Sequence, residues 1–348
     1  MEIREVIDYL KSYDGPQLKI MEVCGTHTAS IFKAGIRSLI SDRISLISGP
    51  GCPVCVTPTA FIDKCIEYAS MDNHVLLTFG DMMKVPGTGD SLSEAKGRGA
   101  ANIQLMYSPF EAVEKASENP GTTYVVAAVG FETTAPAYAL MLREAKRCGI
   151  TNIRLVTALK KAIPALHWIC RNQDDVDGFI CPGHVSVITG SGIYDSLAEK
   201  YGKPFVVTGF EAEHILASIY RIVRQIEAGQ GRTENLYKNA VKTEGNAKAL
   251  KVMEDVYEAG PAMWRGLGII EDSGLYLKDE YAAYDGGSRE LFADVQLPEG
   301  CMCADVIVGR ITPDKCPVFG KACTPVKPFG PCMVSSEGAC GIWYRNVN

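Results

Sequence analysis

The sequence lacks the features that would send the chain into or across a membrane. No apolar run approaches the ~18 residues of a membrane-spanning helix. The first residues, MEIREVIDYLKSYDG, contain no basic segment followed by an apolar core, as a signal peptide would. The net charge of -6 is too small to favour nucleic acid or an anionic membrane surface as a partner. We therefore expect a cytoplasmic protein.

Two common nucleotide motifs are also missing. The sequence contains no GxxxxGK[ST] phosphate-binding loop, and no GxGxxG follows a strand and opens a helix. Glycine-rich turns such as GDMMKVPGTGD could still contact a phosphate group. Nucleotide binding therefore stays an alternative without a supporting motif.

Cysteine, by contrast, is abundant, with 13 residues in 348. In a reducing compartment, grouped cysteines more often bind metal or exchange electrons than form a disulfide scaffold. Cys65 and Cys148 lie on helix-like stretches and are expected to pack in the core, and Cys170 and Cys181 are expected to be structural. The other nine fall into an early and a late group: Cys24, Cys52, Cys55; Cys301, Cys303, Cys316, Cys323, Cys332 and Cys340.

Short apolar runs separated by amphipathic helical patterns predict an α/β fold with parallel sheets. The candidate strands are residues 18–23, 44–48, 74–79, 124–129, 153–159, 177–181 and 204–208. The turn-rich sequence ASENPGTT suggests a boundary near residue 120. We expect two parallel-sheet, Rossmann-like domains (1–119 and 120–230). A helical and loop-rich C-terminal domain (231–348) would carry the late cysteines, and a metal centre would stabilise it.

Polar side chains follow the ends of these candidate strands. Cys24, His27, Asp81, Glu132 and His184 all come directly after an apolar run. Ligands bind at the carboxyl edge of open α/β sheets, so these residues predict a cleft. Taken singly, each could be a polar group satisfied at a strand end, and Cys24 with His27 could simply begin a helix.

Cys52 and Cys55 form a CxxC pair within the sequence GPGCPVC. Two thiols at this spacing can close a disulfide or bind one soft metal ion. A nearby helix N-terminus would favour the thiolate form. Inert packing and half of a zinc site are the alternatives to redox or iron chemistry.

The late cysteines give the strongest signal. Cys301, Cys316, Cys323 and Cys340 are too widely spaced for a zinc ribbon or a bacterial ferredoxin run, but four thiolates on separate loops can surround an iron–sulfur cluster. Zinc bound by the same four thiolates is the alternative. Cys303 and Cys332 are left over, which suggests a dithiol beside the cluster.

Several of these motifs together resemble the HypD family of hydrogenase maturation factors, from about residue 20 to the end. The resemblance rests on MEVCGTHT, GPGCPVC, GDMMKVPG, VGFETTAP, PGHVS and CTPVKPFGPCMVSSEGACGIWY. One departure is the sequence CMCADVIVG, in which Ala304 and Asp305 stand where the family has Gly and Glu. Both thiols of that segment are retained.

The resemblance implies an assembly scaffold with redox chemistry rather than a turnover enzyme. The family assembles the Fe(CN)2CO group of [NiFe]-hydrogenase together with the chaperone HypC. Cyanide is delivered by HypE, which is loaded by HypF. The hydrogenase large subunit is an indirect partner. Carried onto this chain, Cys24 would hold the transient iron together with a partner cysteine. Cys52 and Cys55 would be a redox dithiol, and His27, Asp81, Glu132 and His184 would line the cleft as proton-handling groups.

The family's cofactor is a [4Fe–4S] cluster. Carried over, its ligands would be Cys301, Cys316, Cys323 and Cys340. Cys303 and Cys332 would form a second dithiol that relays electrons from the cluster. The rival hypotheses are a stand-alone thiol–disulfide oxidoreductase that uses the CPVC sequence and a nucleotide-binding α/β enzyme with a structural zinc segment.

Overall fold

The computed structural model of the chain describes residues 2–99, 101–295 and 298–347. It is a mixed α/β structure, as the sequence predicts, with two parallel sheets and one antiparallel hairpin. The strands are β1 (Leu18–Glu22), β2 (Ile44–Ser48), β3 (His74–Thr78), β4 (Ile103–Leu105), β5 (Thr123–Gly130), β6 (Ile153–Leu159), β7 (Gly178–Pro182), β8 (Phe205–Thr208), β9 (Thr233–Asn235), β10 (Tyr257–Trp264) and β11 (Gly268–Leu277).

The helices follow the amphipathic patterns between the strands. They are α1 (Ile3–Lys11), α2 (Gly25–Lys33), α3 (Thr59–Ala69), α4 (Leu92–Gly97), α5 (Glu111–Glu118), α6 (Ala135–Arg147), α7 (Ala162–Asn172), α8 (Gly183–Thr189), α9 (Asp195–Tyr201), α10 (Ala212–Glu227), α11 (Ala247–Val256), α12 (Cys303–Ile307), α13 (Pro331–Val334) and α14 (Ala339–Val347). Within the described ranges, no helix combines the length and apolar character needed to cross a membrane.

All seven predicted strands are present, each within one residue or so of its predicted ends. The first sheet has the order β2-β1-β7-β8-β9, and the second has the order β4-β3-β5-β6. Every pair in both sheets is parallel. Strands β3, β5 and β6 of the second sheet are largely buried on both faces, which explains the unbroken apolar runs in their sequences.

The sheets do not divide the chain at the predicted boundary near residue 120. β3 and β5 lie on either side of that boundary and are hydrogen-bonded neighbours, with His74 opposite Thr123. β1 likewise pairs with β7, placing Ile20 opposite Gly178. The chain therefore begins in the first sheet, builds the whole second sheet, and returns to the first. The ASENPGTT turn is only the connection from α5 to β5.

An antiparallel hairpin, β10–β11, occupies a region where we expected loops. Its strands are irregular, because the register shifts between Gly260 and Ala262 around Pro261. The hairpin packs on the second sheet, where the Lys161 amide donates to the Ser273 carbonyl over 2.8 Å. It therefore links the second sheet to the segment that follows.

Residues 298–347, the C-terminal segment, hold three short helices (α12, α13 and α14) and six cysteines. Its last helix packs on α2: the rings of Phe32 and Trp343 lie 5.0 Å apart, and the Arg37 guanidinium lies against both. The segment shares one continuous apolar core with both sheets. It is thus attached next to the strand ends that carry Cys24.

Candidate functional site

The main cleft lies where the carboxyl ends of the two sheets face each other, and its volume is about 200 Å3. Residues after β1, β2 and β7 line one side, and residues after β5 and β6 line the other. Its polar or reactive lining comprises Cys24, Thr133, Thr134, His184 and Glu337. We call this space the Cys24 cleft. Of the strand-end residues singled out in the sequence, Cys24 and His184 line this cleft, whereas His27, Asp81 and Glu132 are not among its lining residues.

Cys24 occupies the N-cap position of α2, immediately after β1. Cys24 is 9% exposed, and burial raises the pKa of its thiol to about 11. Hydrogen bonds from the following turn, at Thr26 and His27, lower the pKa by a smaller amount. The GPGC loop packs tightly on this strand end, since a Cβ at Gly51 would lie 2.6 Å from the Cys24 nitrogen. The thiol therefore keeps its proton until a metal ion or another electrophile displaces it.

His27 and His184 flank a common aromatic ring rather than pairing with Cys24. The Phe210 ring centroid lies 4.8 Å from that of His27 and 4.1 Å from that of His184. His27 is fully buried, its Nε2 lies 3.0 Å from the Gly209 carbonyl oxygen, and burial lowers its pKa to about 4. His184 faces the cleft, and burial lowers its pKa as well. Both rings are accordingly neutral at physiological pH.

Glu132 lies just behind the cleft lining. One carboxyl oxygen accepts a hydrogen bond from the Ala162 amide over 3.0 Å, and the other is buried without a hydrogen-bond partner in the described structure. Burial raises its pKa to about 7. A carboxyl group of this kind can hold or release a proton near neutral pH.

Glu22 is a buried carboxyl group that the sequence analysis did not single out. It accepts hydrogen bonds from Thr28 (2.9 Å) and Ser48 (2.8 Å), and burial raises its pKa to about 7. The available signal was a charged residue inside the apolar run LKIMEV. Thr28 and Ser48 also line the second cavity described next.

Cys52 and Cys55 are joined in a disulfide, with their Cα atoms 5.3 Å apart. They line a small cavity of about 10 Å3 together with Cys332 of the C-terminal segment. The Cys55 sulfur lies 4.0 Å from the carbonyl oxygen of Pro331, the residue before Cys332. The helix that follows begins at Thr59, with Pro58 as its N-cap, so the CxxC pair precedes the helix N-terminus without capping it. We call this space the disulfide cavity.

The late cysteines gather in one region of the C-terminal segment. The Cys303 thiol donates a hydrogen bond to Cys332, which in turn donates to Cys340. Burial and the neighbouring Cys303 raise the pKa of Cys301 to about 12; Cys316 and Cys323 lie within electrostatic reach of it. The two leftover cysteines of the sequence analysis are therefore adjacent, and one of them touches a candidate cluster ligand.

The backbone of Gly330 lies close against these thiols, at a position where a larger side chain would meet them. A Cβ at Gly330 would lie 3.1 Å from the Cys303 sulfur and 3.4 Å from the Cys301 sulfur. In the part of the chain that the structure describes, no three His, Cys, Asp or Glu side chains are close enough to hold one metal ion. A [4Fe–4S] cluster binds each thiolate to a different iron, so its ligands need not converge on a single point. The donor set fits such a cluster.

Glu337 is a second residue missed from the sequence, and it belongs to both cavities. Partial burial and then the nearby Asp81 raise its pKa above the usual range. Asp81 itself is exposed, at the start of a short 3-10 helix, Gly80–Met82. The backbone of Glu337 lies tightly on α2, since a Cβ at Gly25 would stand 2.2 Å from the Glu337 carbonyl oxygen. Only this tertiary contact identifies Glu337 as a site residue.

The remaining cysteines lie apart from these clusters. Cys65, Cys170 and Cys181 are buried, as predicted for structural residues. Cys148, which we expected in the core, is exposed at the C-terminal end of α6. The helix ends at Arg147, so the next position turns toward solvent.

Comparison with known proteins matches the whole described chain. A family model named HypD, described as "Hydrogenase formation hypA family", matches residues 2–347. The chain is 44% identical to the hydrogenase maturation factor HypD of Rhodobacter capsulatus and 40% identical to that of Escherichia coli; each alignment covers 99% of this chain and 93% of the relative. A putative hydrogenase expression/formation protein of Methanocaldococcus jannaschii is 40% identical, over 94% of this chain and 92% of that protein. The chain belongs to the HypD family of hydrogenase maturation factors.

Proposed function

We propose that this protein is a scaffold and thiol-redox centre for assembling the Fe(CN)2CO group of [NiFe]-hydrogenase. Its iron substrate would be bound at Cys24, with a second thiolate from a HypC-type chaperone. HypE, loaded by HypF, would deliver cyanide there. The observation that carries the proposal is the position of Cys24, which opens onto a cleft bordered by a disulfide loop and by the cysteine-rich segment.

The chemistry of the Cys24 cleft supports iron binding at this residue. A soft, low-spin iron with strong-field ligands favours thiolates, and Cys24 is the cysteine that lines the cleft. Its high pKa means that binding iron releases a proton. Glu132, His184 and Glu337 are the nearby groups able to take up that proton, and Asp81 stands at the outer side of Glu337.

The order of the thiols supports a relay. The Cys303 and Cys332 thiols are in contact, Cys332 shares the disulfide cavity with Cys52 and Cys55, and this cavity adjoins the Cys24 cleft through Glu337. Stepwise exchange between two such dithiols moves two electrons at a time without a diffusible reductant.

A [4Fe–4S] cluster at Cys301, Cys316, Cys323 and Cys340 would supply single electrons to this relay. The chain's own contribution is to hold Cys340 against Cys332 and to keep both sulfurs away from bulk water. The Phe329 amide donates to the Cys323 sulfur over 3.3 Å, and the Cys340 amide donates to the Cys332 sulfur over 3.4 Å. Such N–H donors stabilise negative charge on sulfur.

The test is the iron and acid-labile sulfide content of anaerobically purified protein, with two variants. Four thiolate ligands predict about four irons and about four sulfides per chain. Cys340→Ser should lose both, whereas Cys24→Ser should keep them and lose only the additional iron taken up with the chaperone.

Each other outcome would contradict part of the proposal. Stoichiometric zinc without sulfide would exclude the relay and would favour a structural metal segment. Normal iron loading of the Cys24→Ser variant, together with partner-independent reduction of generic disulfides, would favour a stand-alone oxidoreductase.

A further inference from the structure

Arg265 is a buried cation that the proposed chemistry does not use. It lies in the turn between β10 and β11, and its side chain is 2% exposed. Its Nε lies 3.4 Å from an Asp294 carboxylate oxygen, and its Nη2 donates to the Pro86 carbonyl oxygen over 2.8 Å. A guanidinium is costly to bury, so its retention at this place calls for a function.

The contacts of Arg265 and of its neighbour Gly266 join three segments that the sequence analysis assigned to the site. Its amide donates to the carbonyl of Val56, the residue after the CPVC sequence, over 2.9 Å. Pro86 belongs to the GDMMKVPG sequence. The next residue, Gly266, packs on α12, since a Cβ there would lie 2.7 Å from the Ala304 Cβ, and Ala304 follows Cys303.

Asp294 extends the same set of contacts to the start of α3. Its carboxylate accepts a hydrogen bond from the Thr59 amide over 3.1 Å. The segment from the CPVC sequence to Thr59 is therefore held at Val56 by the Arg265 backbone amide and at Thr59 by the Asp294 carboxylate, which pairs with the Arg265 guanidinium. The guanidinium and the sulfur of Cys303, the first residue of α12, are within electrostatic reach of each other.

We propose that Arg265 is a positioning residue that holds the CPVC loop and the Cys303 helix in the arrangement needed for thiol–disulfide exchange between them. The proposal rests on the relay described above. Exchange needs the attacking sulfur to approach the disulfide closely and in line with the breaking bond, so a small displacement of either segment is enough to slow it.

The exchange transfers two electrons and two protons between two cysteine pairs of the chain and needs no outside reductant. The Cys332 thiolate attacks the Cys55 sulfur, the Cys52–Cys55 bond breaks, and Cys52 leaves as a thiolate that takes up a proton. Cys303, after losing its proton, then attacks Cys332 and releases Cys55, which is protonated in turn. The net result is that the Cys52–Cys55 disulfide gains two electrons and two protons, and the Cys303–Cys332 pair loses them.

The experiment traps the first step by removing the two outer thiols. In the full-length Cys52→Ser/Cys303→Ser protein, mild oxidation with diamide should join Cys55 to Cys332, as followed by peptide mass spectrometry. Adding Arg265→Gln should slow this cross-link at least tenfold. Maleimide labelling of Cys55 and Cys332 should stay equal or become faster, because only their mutual approach is lost. Arg265→Lys, which keeps the charge and one donor, should restore the rate to within threefold.

Lys160→Met is the matched control. Lys160 is a buried cation that follows β6 and contacts the same hairpin: it donates to the Met263 carbonyl oxygen over 2.7 Å, and within the described residues it has no hydrogen bond to the CPVC loop or to α12. Its loss should leave the cross-linking rate within twofold. An unchanged rate in Arg265→Gln, or an equal fall in Lys160→Met, would overturn the role of Arg265. Failure of the parent variant itself to cross-link would instead refute the relay of the proposed function.

Discussion

The contact between Gly25 and the C-terminal segment offers a direct test of how the Cys24 cleft is closed. Gly25 is the first residue of α2, and a Cβ at this position would stand 2.2 Å from the Glu337 carbonyl oxygen and 2.6 Å from the Glu337 Cβ. Both are atoms close to the backbone, so the clash cannot be relieved by rotating a flexible side chain. The Gly25→Ala substitution must therefore displace residues near Glu337 from α2.

The expected cost follows from two opposing effects. Overpacking of this kind costs about 1–3 kcal/mol, and contact with backbone atoms places it in the upper part of that range. Replacing glycine by alanine in a helix raises the free energy of unfolding by about 0.5–1 kcal/mol, because alanine lowers the conformational entropy of the unfolded chain. We therefore expect Gly25→Ala to lower the free energy of unfolding by about 1–2 kcal/mol.

Gly80→Ala is the control for this substitution. Gly80 also begins a short helical turn after a strand of the same α/β core, and a Cβ there would have no atom within 4 Å. This variant should be as stable as the parent protein or more stable by up to about 1 kcal/mol.

The assay combines anaerobic urea unfolding with the rate at which a maleimide labels Cys24. In Gly25→Ala the labelling should become faster, because the segment that shields a thiol only 9% exposed has moved. Equal stability and equal labelling in Gly25→Ala and Gly80→Ala would refute the conclusion that the C-terminal segment closes the cleft.

Three further predictions concern buried and exposed titratable groups. Burial holds the pKa of His27 near 4 against 6.5 in the unfolded chain, so the unfolded state binds more protons at this residue in acid. The His27 contribution to the free energy of unfolding should therefore fall by about 2 kcal/mol between pH 7.5 and pH 5, while Glu22 and Glu132, whose pKa values are raised to about 7, act in the opposite direction in parent and variant alike. In urea unfolding at the two pH values the parent protein should lose about 2 kcal/mol relative to His27→Gln, and an equal change in both proteins would contradict the assignment. Burial lowers the pKa of Lys160 from 10.5 to about 7. The unfolded state therefore binds more protons at this residue between pH 7 and pH 10, and the Lys160 contribution to stability should rise over that range. The thermal unfolding temperature of Lys160→Met should lack this rise, and an identical rise in both proteins would contradict the assignment. Cys148 is exposed whereas Cys65 is fully buried, so maleimide should label Cys148 first in the native protein, and earlier labelling of Cys65 would contradict this order. Because Cys148 lies at the surface, Cys148→Ser should change the free energy of unfolding by less than about 0.5 kcal/mol.

The local pattern was sufficient to predict the strands but not their order. An apolar run such as YVVAAV is long enough and sufficiently β-branched to specify β5, and its limits in the structure differ by one residue at each end. Which strands become neighbours depends on how the helices pack over the sheets, and nothing in the turn near residue 120 encodes that choice. The pairing of His74 with Thr123 across this turn could therefore not be anticipated.

The hairpin β10–β11 was missed for a different reason. Its first strand contains Gly260 and Pro261, and proline inside a run argues against an ordinary strand. The structure accommodates both residues at a register shift, where the ladder is interrupted. The contacts that place the hairpin beside the site, from the Arg265 amide to Val56 and from Gly266 to Ala304, are likewise not visible in the sequence.

The candidate site could be predicted as a set of residue types but not as an arrangement. Placement after strand ends correctly brought Cys24 and His184 to one cleft, because parallel strands end at a common edge. The same rule could not locate Glu337, which arrives from the C-terminal segment and is identified only by its packing on Gly25. Glu22 was hidden because a charged residue within an apolar strand resembles an interruption rather than a buried functional group.

The position of Glu337 has a consequence for how the two halves of the site communicate. It lies between Cys332 and Cys340 in the sequence, and it lines both the Cys24 cleft and the disulfide cavity. Seven residues separate those cysteines, so the loop that connects them is short. A Cβ at Gly338 would lie 2.2 Å from the Cys332 carbonyl oxygen, so the loop is also tightly folded on itself. Any change in the bonding of Cys332 or Cys340 must therefore shift Glu337, and with it the side of the cleft that faces Cys24.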